Sequence, residues 1–159
     1  MPSHWLIVSN NGHALHHTLR NDPNGPWQGN WGDVLAAMHG PPDAGSIKSA
    51  TFHTDLNGNL HVCVLTSLHK IWHTIRFAAG NWQGNWGNVN SQSGGLPTLT
   101  VTALASSVSG DNSFQLCALT PTAIYHTIRH SNNTWQANWG NVNGPVPNPP
   151  LPANVFGGG

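Results

Sequence analysis

The stretch His73-Thr74-Ile75-Arg76, followed after a short turn by Trp82-Gln83-Gly84-Asn85-Trp86-Gly87-Asn88-Val89, decides the fold because the chain contains it three times. The other copies are His17-Thr18-Leu19-Arg20 with Trp27-Gln28-Gly29-Asn30-Trp31-Gly32-Asp33-Val34, and His126-Thr127-Ile128-Arg129 with Trp135-Gln136-Ala137-Asn138-Trp139-Gly140-Asn141-Val142. Trp27 to Trp82 is 55 positions and Trp82 to Trp135 is 53. A period of this length marks propellers, solenoids or arrays.

Within a unit, short apolar runs rich in β-branched residues alternate with Gly and Asn turns, and no stretch keeps a helical period. The second unit predicts strands over Ser49 to Leu56, Leu60 to Thr66, Lys70 to Phe77 and Trp82 to Trp86, with Asn57-Gly58 as a hairpin turn. The third predicts Leu99 to Ser106, Phe114 to Leu119, Ala123 to His130 and Trp135 to Trp139. The first has room for only three strands, Trp5 to Ser9, Ala14 to Arg20 and Trp27 to Trp31. The fold class is therefore all-β, a β-propeller segment of about three four-stranded antiparallel blades.

The blade units run over residues 1–45, 46–95 and 96–144, and 145–159 form a Pro- and Gly-rich tail. In that tail Ala153-Asn154-Val155-Phe156 stands where the first strand of another blade begins. Three blades fall short of the four to eight that close a ring, so the sequence predicts completion by oligomerisation. A six-bladed homodimer is favoured, with the C-terminal strand exchanged into the partner's first blade. A truncated or designed self-assembling scaffold without strong ligand binding is the alternative reading.

Charge is scarce. Asp, Glu, Lys and Arg make up 6% of the 159 residues, against roughly 25% in typical domains; Glu is absent and the formal net charge is +0. Nucleic acid and membrane surfaces, both bound through charge, are poor partners for such a chain. The start, Met1-Pro2-Ser3-His4, lacks the features of a secretory signal, and no apolar stretch is long enough to span a bilayer. The expectation is a cytoplasmic chain as encoded, acting outside the cell after release. Cys63 and Cys117 occupy matching places in two units and read as free, buried and structural.

Alternation along the strands places Trp72, Thr74 and Arg76 on one face, with Tyr125, Thr127 and Arg129, and His16, Thr18 and Arg20, as counterparts. Trp82 with Trp86, Trp27 with Trp31, and Trp135 with Trp139 share the corresponding side of strand four. The three arginines are the only ones in the chain. A guanidinium fork beside an indole suits a neutral sugar, donating to hydroxyls while the ring covers the C–H face. The tryptophans serve equally well as packing between blades, and both readings stay open. The repeated His17, His73 and His126 have no carboxylate or cysteine at ligand spacing and read as packed imidazoles bonded to a neighbouring strand, so no metal or cofactor is expected. Paired carboxylates, a nucleophile elbow and a phosphate loop are all missing, so binding is expected rather than catalysis.

The block Ile71-Trp72-His73-Thr74-Ile75-Arg76 with Trp82 and Trp86-Gly87-Asn88-Val89, together with Leu60-His61-Val62-Cys63, resembles the blade motif of bacterial fucose-binding propeller lectins of the Photorhabdus luminescens type, with tectonin-like repeats. The resemblance implies a multivalent, metal-independent lectin with shallow sites between blades. Its partners would be fucosylated glycans or free monosaccharide, fucose or O-methylated sugars. The repeated residues themselves supply the candidate sugar-binding set: Arg20, Trp27, Trp31, Trp72, Thr74, Arg76, Trp82, Trp86, Tyr125, Thr127, Arg129, Trp135 and Trp139. That family has seven blades in one chain, and its Gly-Asp-Val survives here only at Gly32-Asp33-Val34.

Overall fold

The computed structural model describes residues 3–9, 11–20, 22, 24–96 and 101–144. Within them the chain is all-β, folded as three antiparallel sheets, one per repeat. The first sheet holds β1 (Ser3–Val8), β2 (Leu15–Arg20) and β3 (Gly32–Asp33), and a one-turn helix α1 (Val34–Ala37) follows it. The second holds β4 (Ile47–Thr54), β5 (Leu60–Thr66), β6 (Ile71–Arg76) and β7 (Gly87–Asn88), followed by the one-turn α2 (Val89–Gln92). The third holds β8 (Ala103–Val108), β9 (Phe114–Leu119), β10 (Ile124–Arg129) and β11 (Gly140–Asn141). Strands lie in each sheet in chain order. Among the described residues no helix is long and apolar enough to cross a membrane. The expected C-terminal strand at Ala153 to Phe156 lies outside the described residues.

Local chemistry fixes the hairpins. Between β4 and β5 the Gly58 N–H donates to the Asp55 carbonyl at 3.0 Å and the Asp55 N–H donates to the Asn59 carbonyl at 2.8 Å. Gly58 takes φ +83°, a region costly for residues with a Cβ. Asn112 fills the equivalent place between β8 and β9 at φ +66°, which asparagine tolerates.

The fourth strands differ from the sequence expectation. Trp82 and Trp135 each make a single bridge, to Arg76 and Arg129, but pairing resumes only at Gly87–Asn88 and Gly140–Asn141. In the first sheet, likewise, β3 lies beyond Trp27 to Trp31. The glutamine after each first indole is where pairing stops: its N–H still donates to the carbonyl of Leu19, Ile75 or Ile128, at 2.8, 2.8 and 2.7 Å, and its side chain turns into the segment that follows. Gln28 Nε2 donates to the Asn30 carbonyl at 3.0 Å, Gln136 Nε2 to the Asn138 carbonyl at 2.7 Å, and Gln83 Nε2 to Asn85 Oδ1 at 3.0 Å. In the first and third segments these local bonds occupy a backbone carbonyl that a ladder would use. The Gly-Asp/Asn-Val triplet that follows is a cap. Asp33 Oδ1 accepts from the Ala36 N–H at 3.1 Å, and Asn88 Oδ1 from Asn90 and Ser91 at 3.0 and 3.3 Å.

Each sheet has an imidazole face, carrying His17, His73 or His126, and an arginine face, carrying Arg20, Arg76 or Arg129. The core lies in two joints between sheets. In the first, Leu6, Val8 and Leu15 of the imidazole face, with Val34, Leu35 and Met38, pack on Phe52, Leu60, Val62 and Val64 of the second sheet's arginine face. In the second joint, Cys63, Leu65 and Ile71 pack on Leu104, Phe114, Leu116 and Ala118. Strand β5 is therefore covered on both faces and all its residues are buried, whereas β9 alternates over most of its length. Leu60, Val62 and Val64 have no exposed surface, and each contributes about 1.5 to 3 kcal/mol by leaving water. Cys63 is buried and Cys117 half-buried, and neither is in a disulfide.

Candidate functional site

The arginines end β2, β6 and β10, so each sheet presents one guanidinium at the same corner. At the second joint that corner is a cleft of about 200 Å³, with Arg129 and Asn133 on one wall and Asp55, His61 and Phe77 on the other. Arg129 Nη1 donates to Asn133 Oδ1 at 2.9 Å, which fixes the plane of the fork. Burial lowers the Arg129 pKa from its usual value, opposed by the electrostatic influence of Cys63 and Asp55.

Across the cleft the Asp55 carboxylate is buried and held in place by the N–H groups of Asn57 and Asn59, at 2.9 and 2.8 Å, and by Asn59 Nδ2 at 2.9 Å. Its Oδ2 lies 3.5 Å from His61 Nε2. His61 Nδ1 is in turn 3.0 Å from His73 Nε2, the rings stacked at 5.2 Å. Burial first, then the Arg129 charge, pushes the His61 pKa down to about 4, with Asp55 acting weakly against them. Both rings are neutral at pH 7, and the Asp55 contact selects the tautomer with hydrogen on His61 Nε2, so His73 Nε2–H donates to His61 Nδ1. Phe114 stacks on His61 at 4.9 Å, and Trp135 meets His73 edge-on at 5.4 Å.

The first joint repeats this chemistry. His4 Nδ1 and His17 Nε2 are 2.9 Å apart, and Trp82 meets His17 edge-on at 5.8 Å. Burial, with Arg76 as a further cause, lowers both histidines to about 4. On the third sheet His126 Nε2 donates to Gln115 Oε1 at 2.7 Å. The partners His4 and Gln115, like Asp55 and Asn133, are not among the residues singled out from sequence, and His61 enters there only within the Leu60-His61-Val62-Cys63 block. The signal is a His or Gln 11 to 13 positions before each repeated histidine, readable once the strands are aligned.

The remaining candidates divide between two environments. Thr74 and Thr127 have no exposed surface; Thr74 Oγ1 donates to Met38 Sδ at 3.3 Å, and Thr127 Oγ1 lies 2.8 Å from Ser93 Oγ. Trp72 Nε1 donates to Asp43 Oδ2 at 2.8 Å and Trp86 Nε1 to the Gly40 carbonyl at 3.2 Å, so both indoles tie the second sheet to the segment that leads into it. Trp139 is buried in the second joint, with Tyr125 and Trp135 half-buried against the same cluster. Trp72 lies four residues from Arg76 on β6, roughly 13 Å along the strand. The first sheet is open instead. Trp27 and Trp31, 39% and 46% exposed, line a groove of about 610 Å³ with Thr18 and with Trp5, 57% exposed and absent from the sequence-derived set. The Arg20 guanidinium carbon lies 4.9 Å from the centre of the Trp27 ring. Among the described residues no three His, Cys, Asp or Glu side chains are placed to hold a metal ion.

No protein-family model matches the sequence, and comparison with curated proteins finds no match. Among solved structures, the chain is similar to a variant of AofleA from Arthrobotrys oligospora in which three arginines are replaced by alanine, with a TM-score of 0.53 and 13% identity over 87% of this chain. This chain spans 37% of that one. A fucose lectin from Kordia zhangzhouensis in complex with methyl-fucoside aligns with a TM-score of 0.44 and 12% identity, over 88% of each chain. The likeness to AofleA is one of fold.

Proposed function

We propose that the protein is a lectin that binds fucose or a related neutral sugar, including O-methylated ones, at the joints between its sheets. The observation that carries this reading is the second-joint cleft, where the Arg129 fork faces the Asp55 carboxylate across a space the size of a monosaccharide. A sugar hydroxyl both donates and accepts; Asp55 takes the hydrogen and Arg129 gives one. Phe77, 37% exposed at the rim, offers an apolar surface to a C–H face or to the methyl group of a 6-deoxy sugar. Arg20 with Trp27 presents a similar pairing on the first sheet.

Binding through these groups needs no metal, since side chains supply every donor and acceptor. Among the described residues Asp55 is the one carboxylate lining the cleft, whereas hydrolysis of a glycosidic bond usually takes two. With blade units at 1–45, 46–95 and 96–144, one arginine in each, weak single sites act together on a glycan-coated surface. A glycan array followed by calorimetry with methyl fucoside tests the reading. Fucosylated glycans bind and the titration is unchanged by EDTA; a blank array at high protein concentration favours a scaffold that keeps the fold without a ligand.

A further inference from the structure

Both internal joints are made in the same way, an imidazole face receiving the arginine face of the sheet that follows. Two faces have no such partner within the described residues. One is the arginine face of the first sheet, with Trp5, Trp27 and Trp31 around an apolar groove. The other is the imidazole face of the third sheet, where Cys117, His126 and Ile128 are half-buried although their counterparts Cys63, His73 and Ile75 in the second sheet are buried. We infer that these faces are the two halves of a third joint, closed head to tail by a second copy of this chain.

The match is residue by residue. Trp82 meets His17 in the first joint and Trp135 meets His73 in the second, so Trp27 falls to the partner's His126 in the third. Arg76 and Arg129 depress the histidines opposite them, and Arg20 is their counterpart for the Gln115–His126 pair. Arg20 Nε is buried and makes no hydrogen bond among the described residues. Three exposed indoles on one face form a patch of the kind that marks an interaction site. Head-to-tail contacts give a ring when the rotation closes. Two copies supply six sheets, within the usual four to eight of a radial array, and three would supply nine.

Closure sets Arg20 opposite the partner's Gln115, as Arg129 stands opposite His61, and builds a cleft that neither copy holds alone; that this cleft takes sugar rests on the lectin reading above. Sedimentation velocity of the full chain without sugar tests the joint itself. The expected species contains two chains. W5K on the first sheet and I128K on the third alter side chains exposed or half-buried in the single chain, so each leaves the circular dichroism unchanged and sediments as one chain. Mixing the two restores one intact joint, the third sheet of W5K against the first sheet of I128K, and so a two-chain species that dissociates more readily than the wild type, because each variant keeps the face the other has lost. Should I128K unfold, S107K on the same face replaces it. A wild-type protein that stays a single chain overturns the inference, as do variants that still pair, or a mixture that does not. Assembly without fucose binding would leave the joint standing and remove the sugar reading; fucose binding by a single chain would do the reverse.

Discussion

His61 and His73 share one hydrogen between Nδ1 and Nε2, 3.0 Å apart, beneath the stacked ring of Phe114. Burial favours the neutral form of both rings. His4, His17 and His61 have folded-state pKa values near 4 against 6.5 for the free side chain, so below pH 6.5 the unfolded chain binds more protons than the native one. Stability is then complete above about pH 6.5 and falls as the pH is lowered towards 4. Urea midpoints measured from pH 8 to pH 4 should show this slope, and a flat profile between pH 7 and 5 would refute it. H61Q copies the Gln115–His126 pair and should remove part of the acid sensitivity while the protein still folds.

Asp43 ties the second sheet to the chain that enters it. It accepts from Trp72 Nε1 at 2.8 Å, from Thr66 Oγ1 at 2.9 Å and from the Gly45 N–H at 2.8 Å. D43A leaves these donors without their acceptor, and a loss of about 2 to 3 kcal/mol is expected in chemical denaturation. The tryptophan emission of Trp72 should move at the same time.

Thr74 and Thr127 occupy matching places with different partners. Valine at position 74 gives up only a weak bond to the Met38 sulfur and should cost less than about 1 kcal/mol. T127V strands the Ser93 hydroxyl inside the second joint and should cost about 1 to 3 kcal/mol. Equal losses for the two variants would show that packing, not the hydrogen bond, sets their value.

Arg129 and Trp86 separate binding from stability. R129K keeps the charge and loses the planar fork, so fucose affinity should drop about tenfold, or 1.4 kcal/mol, with little change in melting temperature. W86F loses the bond to the Gly40 carbonyl and should lower the melting temperature with affinity retained. Calorimetry and thermal melts on the same samples decide both.

Much of the sheet pattern was legible because β-branched runs and turn residues carry it locally. Strands β5 and β9 begin and end where the sequence places them. The one-turn helices α1 and α2 were not legible, since four residues are too few to display a period. Trp82 to Trp86 reads as a strand by alternation, but only Trp82 and Gln83 pair with β6 before the chain leaves the ladder and rejoins it at Gly87. The repeated histidines read from sequence as bonded to a neighbouring strand, but their partners do not stand out, because the same position holds His4, His61 and Gln115, which do not align as copies until the sheets are superposed. Asp43 escaped for the opposite reason. It sits in the connecting end of the first unit, beyond the repeated motif, so no pattern marks it.

Strand β5 meets a surface on each side, and the two surfaces are those that a unit shows to its neighbours before and after. A unit spliced between α2 and β8 would bring an arginine face to cover the second sheet and an imidazole face to receive the third, without altering any existing side chain. The repeat thus separates two problems that most domains solve together: how a unit folds, and how many units there are.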